Sequence, residues 1–203
     1  MMVWDQFKWA IDVFLNPEKR TVKVWKVEEA MKMYYRVAII PLVILILGEL
    51  FVGGGFAVYY SSILGRFGGT LGALGLTGSI ILVTLLGYLL LVPIGLLISA
   101  WFINWTGHQL KTFKKNDFKT TLSALVYGAC AWVAFSWIPF VSWFTGLWSV
   151  LVTIIALTNL QKTSSYFATF MTWAVGSAVL VIIYGVILLI AGIAFPSLWL
   201  PHP

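Results

Sequence analysis

The chain has 203 residues, 61% of them hydrophobic and 10% charged, with 13 Lys and Arg against 7 Asp and Glu for a formal net charge of +6. A soluble domain carries about 25% charged residues, and here the mean hydropathy is +0.95. These figures exclude an ordinary soluble domain, a disordered chain and a nucleic-acid-binding module, and predict one all-α, polytopic membrane bundle.

Residues 1–36 form a cytoplasmic segment with acids, bases and no long apolar run, so no cleavable signal peptide is expected. Trp4, Phe7, Ile11, Phe14 and Leu15 recur at helical spacing, while Asp5, Lys8 and Asp12 lie off that stripe. This pattern predicts an interfacial amphipathic helix, with Trp4, Phe7, Ile11 and Phe14 as its anchor in the headgroup region. Asn16-Pro17-Glu18 reads as a cap and a new start with Pro at the first helical position. Val27 to Arg36 reads as a helix leading into the first span, with Glu28, Glu29, Lys32 and Arg36 spaced for pairing one turn apart.

A hydrocarbon core about 30 Å thick needs about 20 apolar helical residues. Five such runs are expected within a membrane domain of residues 37–196, at about 37–59, 78–105, 120–138, 143–160 and 170–195, followed by a short external tail, 197–203. Glu49 stands in the middle of the first run, where an ionised carboxylate is expensive. It is the intramembrane polar candidate, either a proton- or cation-handling group or a structural hydrogen bond to another helix. Gly48 and Gly53 to Gly55 flank it, and Pro41 and Pro93 lie inside spans as expected kinks or close contacts. Gly69, Gly72, Gly75 and Gly78 belong to a Gly-rich outer loop that lacks the residues of a phosphate-binding loop. Cys130 is expected in the core. Ala178, Gly185 and Gly192 recur every seventh residue and read as a packing stripe.

All the Lys and Arg except Arg66 fall in alternate segments: 1–36, the loop with Lys111, Lys114, Lys115 and Lys119, and the loop with Lys162. By the positive-inside rule the N-terminus is cytoplasmic and the C-terminus outside. Trp101 and Trp105 then mark an inner boundary, and Trp137, Trp143, Trp148 and Trp199 outer ones. Lys111, Lys114, Lys115 and Lys119, with Asn104 and His108 beside them, form the expected cytoplasmic face for anionic lipid or a partner. Two His and one Cys make a zinc site unexpected. Glu28-Glu29 lacks the Arg of a membrane CAAX-type protease motif, since Met33 stands there. No catalytic residue, cofactor or metal is therefore expected, and the function expected is non-enzymatic.

The stretch from Asn104 to Met171 carries His108, Thr120-Thr121, Tyr127, Trp137-Ile138-Pro139 and Trp148, ahead of a polar loop. With the early Asn16-Pro17, these features resemble the Yip family (Ypt-interacting proteins), strongest over that stretch. The likeness is to a minimal prokaryotic or archaeal-type member. The resemblance implies five spans with a cytoplasmic N-terminus, a place in the cell membrane if prokaryotic, and a trafficking-like scaffold that recruits partners or lipids, among them Rab-type small GTPases. The alternative on the residues themselves is a small transporter or channel using Glu49.

Overall fold

The computed structural model describes residues 3–63, 78, 81–115, 117–138 and 140–194, and the side chains of these except 52–63 and 187–194. The Gly-rich outer loop apart from Gly78, and the tail with Trp199, lie outside the described residues. In chain order the helices are α1 (Val3–Leu15), α2 (Pro17–Arg20), α3 (Val27–Ile63), α4 (Ile81–Gln109, with a π-helical turn at Gly87–Leu91), α5 (Phe118–Val133), α6 (Val141–Gln161) and α7 (Tyr166–Ala194). No strand occurs among the described residues.

Four helices among the described residues are long and apolar enough to cross a membrane: Val27–Phe51, Ile81–Gln109, Val141–Gln161 and Tyr166–Val186. Their outer rows expose large apolar side chains such as Phe51, Val83, Val181 and Ile182. Water does not tolerate contiguous apolar rows of this extent, so the apolar helices mark an integral membrane protein.

The run expected at 120–138 differs. Its helix, α5, stops at Val133, after which the chain tightens through Ala134 N–H to Cys130 O and Ser136 N–H to Val133 O. Sixteen residues give about 24 Å, less than a hydrocarbon core. The physical reason is its position. Residues 120–128 are buried without a break, so α5 is sheathed by protein and has no lipid thickness to match. Its start is fixed by Asp117, whose carboxylate accepts from the Lys119 N–H and the Thr120 hydroxyl.

α5 and α6 form an antiparallel hairpin, with Thr121 beside Gln161 and Gly128 beside Thr153. Gly128 lets them close, because a Cβ there would stand 1.9 Å from Thr153 Oγ1 and 2.8 Å from Ser149 O. On the far side, Gly176 seats α7 against Ile103, where a Cβ would stand 3.1 Å from the Ile103 side chain. Ala178 and Gly185, expected as a packing stripe, face outward instead; a Cβ on Gly185 would meet nothing within 4 Å, and the surroundings of Gly192 lie outside the described residues. A seven-residue repeat drifts around a straight helix, and the close approach among the described residues falls at Gly176.

α3 runs parallel to α5. The Trp25 N–H bonds Ser123 Oγ at 2.9 Å, and higher up Tyr34 bonds the Tyr88 carbonyl while Tyr88 Oη meets Ser136 Oγ at 2.7 Å. The charged start of α3 therefore lies alongside α5. Burial along α3 ends at Leu42, and Glu49 lies beyond it, half-buried, with Gly48 in open space.

The π turn of α4 follows from Pro93. Proline has no N–H to give the Leu89 carbonyl, and the Val92 N–H bonds Gly87 O, five residues back, in place of Tyr88 O. The hydroxyls of Tyr34 and Tyr35 take those two carbonyls at 2.9 and 3.1 Å.

The N-terminal helix is rotated from the expected one. Its buried stripe is Gln6, Phe7, Ala10 and Val13. Phe7 enters the core, and Phe14 packs on Phe135 and Trp148 at ring distances of 4.7 and 5.8 Å. Trp4 stays exposed and Ile11 is half-buried. Small residues allow a close helix approach that a stripe of large rings does not. α1 thus lies against the bundle with Phe7 and Phe14 turned into protein. It also brings Phe14 O within 2.7 Å of Trp148 Nε1, although the charge pattern assigned those two residues to opposite boundaries. Counting cations sorts loops between sides; it does not sense a segment that folds back along the helices.

Candidate functional site

Residues 16–26, between α1 and α3, form a strap held by side chains from much later in the chain. Asn159 Nδ2 donates to Thr21 Oγ1 at 3.3 Å and reaches Glu18 O at 3.5 Å. The Tyr127 hydroxyl accepts from Lys23 N–H and donates to Lys23 O, both at 3.2 Å. Trp25 N–H is held by Ser123. At the head of the strap Pro17 opens α2 as expected, but Asn16 makes no side-chain cap and bonds back to Asp12 Oδ1 at 3.1 Å.

This strap forms one side of an open cavity of about 550 Å³, within the roughly 300–1,000 Å³ of small-molecule sites. α1 contributes Gln6 and Trp9, the strap Lys19, Arg20, Lys23 and Trp25, α3 Glu29, Lys32 and Arg36, and α5 Tyr127. Five cations thus face one carboxylate. Arg20 is paired with Asp12 and Lys32 with Glu28. Lys19, Lys23 and Arg36 make no ion pair among the described residues, and neither does Glu29. One wall is aromatic, with Trp25 at 4.4 Å and Trp9 at 5.4 Å from the Tyr127 ring. Gln6 is 3% exposed, and its Oε1 is buried without a hydrogen-bond partner. Such an arrangement favours an anion.

The residues expected as the cytoplasmic face lie elsewhere. Lys111, Lys114, Lys115 and Lys119 are all exposed on or beside the loop from α4 to α5, with Lys111 at φ 51°. Asn104 turns inward, its Oδ1 accepting from Thr121 Oγ1 at 3.0 Å, and Gln161 Nε2 bonds that same hydroxyl at 2.7 Å. Asn104 therefore belongs to a structural polar knot, while His108 is exposed. Glu49 has no hydrogen-bond or ion-pair partner among the described residues. No group of three or more His, Cys, Asp or Glu that could hold a metal ion occurs among the described residues.

Sequence reasoning assigned the cations of 19–36 to topology and missed the cavity. The signal was Glu29, Lys32 and Arg36 at i, i+3 and i+7, which shares one helix face, with Lys19, Arg20 and Lys23 a short loop away. Comparison with protein-family models, curated proteins and solved structures gives no match.

Proposed function

We propose that the protein is a non-enzymatic integral membrane scaffold of the Yip type, with five spans and a cytoplasmic N-terminus in the cell membrane. It gathers anionic lipid, and through it membrane-bound partners such as small GTPases, on its N-terminal face. The observation that carries this reading is the cation-lined cavity under the strap, where three of five cations have no ion pair among the described residues. Basic surfaces beside membrane helices attract anionic headgroups by about 1 kcal/mol per Lys or Arg. The exposed lysines from Lys111 to Lys119 add to the same charge excess on the side expected to face the cytoplasm.

The test is reconstitution in nanodiscs of mixed phosphatidylcholine and phosphatidylglycerol, with retained lipid read by native mass spectrometry. The expected result is enrichment of phosphatidylglycerol, reduced when Lys111, Lys114, Lys115 and Lys119 are changed to Gln and reduced further with Lys19 and Lys23. Lipid retained in the bulk proportion would overturn it.

A second reading is favoured by Glu49, a half-buried carboxylate without a partner among the described residues, inside a candidate span. In it, Glu49 is the coupling group of a small transporter or channel. Proton or cation flux in proteoliposomes that disappears in Glu49→Gln supports that reading; absence of flux in the wild type removes it.

A further inference from the structure

We propose that the cavity under the strap is a binding site for a hydroxyl-bearing phosphate, of the phosphoglycerol or phosphoinositol class. This rests on the reading of the N-terminal face as a collector of anions, and it narrows that reading to one pocket with one kind of occupant.

The charge argument comes first. Lys19, Lys23 and Arg36 surround the cavity without an ion pair among the described residues. Cations held around one space repel one another, and a phosphate placed between them turns that repulsion into charge-assisted hydrogen bonds. Arg36 brings a planar fork suited to two phosphate oxygens, and the lysines bring point charges. Arg20 and Lys32 are already tied to Asp12 and Glu28, so they contribute field rather than contact.

The second argument comes from Gln6. Its Oε1 is a buried acceptor with no donor, in a side chain that lines the cavity. A phosphate diester offers no donor, whereas a hydroxyl does. With the amide turned over, Nε2 would meet a phosphate oxygen instead. Either orientation is satisfied by one ligand that carries both groups.

The third argument is shape. Trp9, half-buried, lines the cavity in front of the buried rings of Trp25 and Tyr127, which lie at 69° and 41° to it. The C–H face of a polyol rests on the open part of the Trp9 ring while its phosphate turns toward the cations. The chemistry is shared by a lipid headgroup and a free phosphopolyol.

The experiment uses the full chain in phosphatidylcholine nanodiscs. Phosphatidylglycerol is one probe. Phosphatidylethanol, an anionic diester without headgroup hydroxyls, is the second. Water-soluble glycerol 3-phosphate is the third. The expected result is one phosphatidylglycerol retained per chain. Retention falls about tenfold in Lys23→Gln with Arg36→Gln, and Lys23→Arg keeps it. Gln6→Leu lowers phosphatidylglycerol retention to the level of phosphatidylethanol. Lys23 and Arg36 are exposed, so their variants test the site even where Gln6→Leu lowers the yield of folded protein. Displacement by glycerol 3-phosphate assigns the site to a soluble phosphopolyol, and lack of displacement assigns it to the lipid. Equal retention of phosphatidylglycerol and phosphatidylethanol by the wild type would overturn the proposal, as would unchanged retention in the Lys23 and Arg36 variant. A general anionic preference without one-to-one retention would remove this pocket and leave the scaffold reading in place.

Discussion

Three glycines show how sharply single positions constrain this bundle. Gly128 has backbone oxygen from Ser149 within 2.8 Å of where a Cβ would stand. Backbone cannot swing away, so Gly128→Ala should cost about 1–3 kcal/mol, read as a lower unfolding temperature in detergent. At Gly107 a Cβ would stand 2.2 to 2.6 Å from the Phe113 ring, its Cγ included, so relief needs the whole buried side chain to move and not a ring flip. Gly107→Ala is therefore expected to be destabilising in the same measurement, as Gly128→Ala is. Gly185→Ala, with nothing within 4 Å, should be neutral. None of this was legible in the sequence, where the regular spacing of Ala178, Gly185 and Gly192 drew the eye and Gly128 and Gly176 stood alone. Residue type was visible; the neighbour that makes it matter was not.

Among the elements, the π turn of α4 and the α1 stripe carry opposite lessons. Pro93 was legible as a break, because a missing N–H is a property of the residue itself. What could not be read was that Tyr34 and Tyr35 supply the replacement donors from 54 residues away. Tyr34→Phe leaves the Tyr88 carbonyl without its donor and should cost about 1–3 kcal/mol. Hydrogen exchange around Gly87–Leu91 should rise with it. Tyr35 is more exposed and its bond is longer, at 3.1 Å, so Tyr35→Phe should cost less. In α1 the sequence made the helix legible but not its face. Helical spacing of apolar residues chose Trp4, Phe7, Ile11 and Phe14, whereas the bundle buries Gln6, Phe7, Ala10 and Val13, so Phe7 is shared and the stripe turns toward smaller neighbours. The strap and the end of α1 that leads into it depend on Tyr127, Trp148 and Asn159 together. Replacing them by Phe, Phe and Ala should speed tryptic cutting after Lys19, Arg20 and Lys23, whereas each single change should do so only slightly.

For the whole molecule, composition alone announced membrane and helix, and both hold. Long apolar runs are a bulk property that no tertiary contact overrides. The position of one helix against another is not, and so α5 could not be recognised as a sheathed axis. Orientation is open to a direct measurement, since Cys130 is fully buried and gives no labelling background. A cysteine placed at Lys115 should react with an impermeant maleimide only after the cytoplasmic side is opened. Labelling from outside intact cells would reverse the proposed orientation. The candidate site was half legible: its charges were in view, but the aromatic wall and Gln6 became a site only through contacts between α1 and α5.

The strap also sets an order of events. The anchors of the strap and of the end of α1 lie 98 to 141 residues further along the chain. At about 5–20 residues per second of synthesis, the ribosome needs several seconds or more after making Phe14 before Trp148 exists. Through that interval the N-terminal helix has no seat. The cavity is therefore among the last features to form, after the α5–α6 hairpin has been inserted. A nascent chain arrested before residue 148 should still be cut by trypsin at Arg20, and the released full chain should resist. Quality control that inspects this N-terminal segment would in effect be reading whether the rest of the protein has been built.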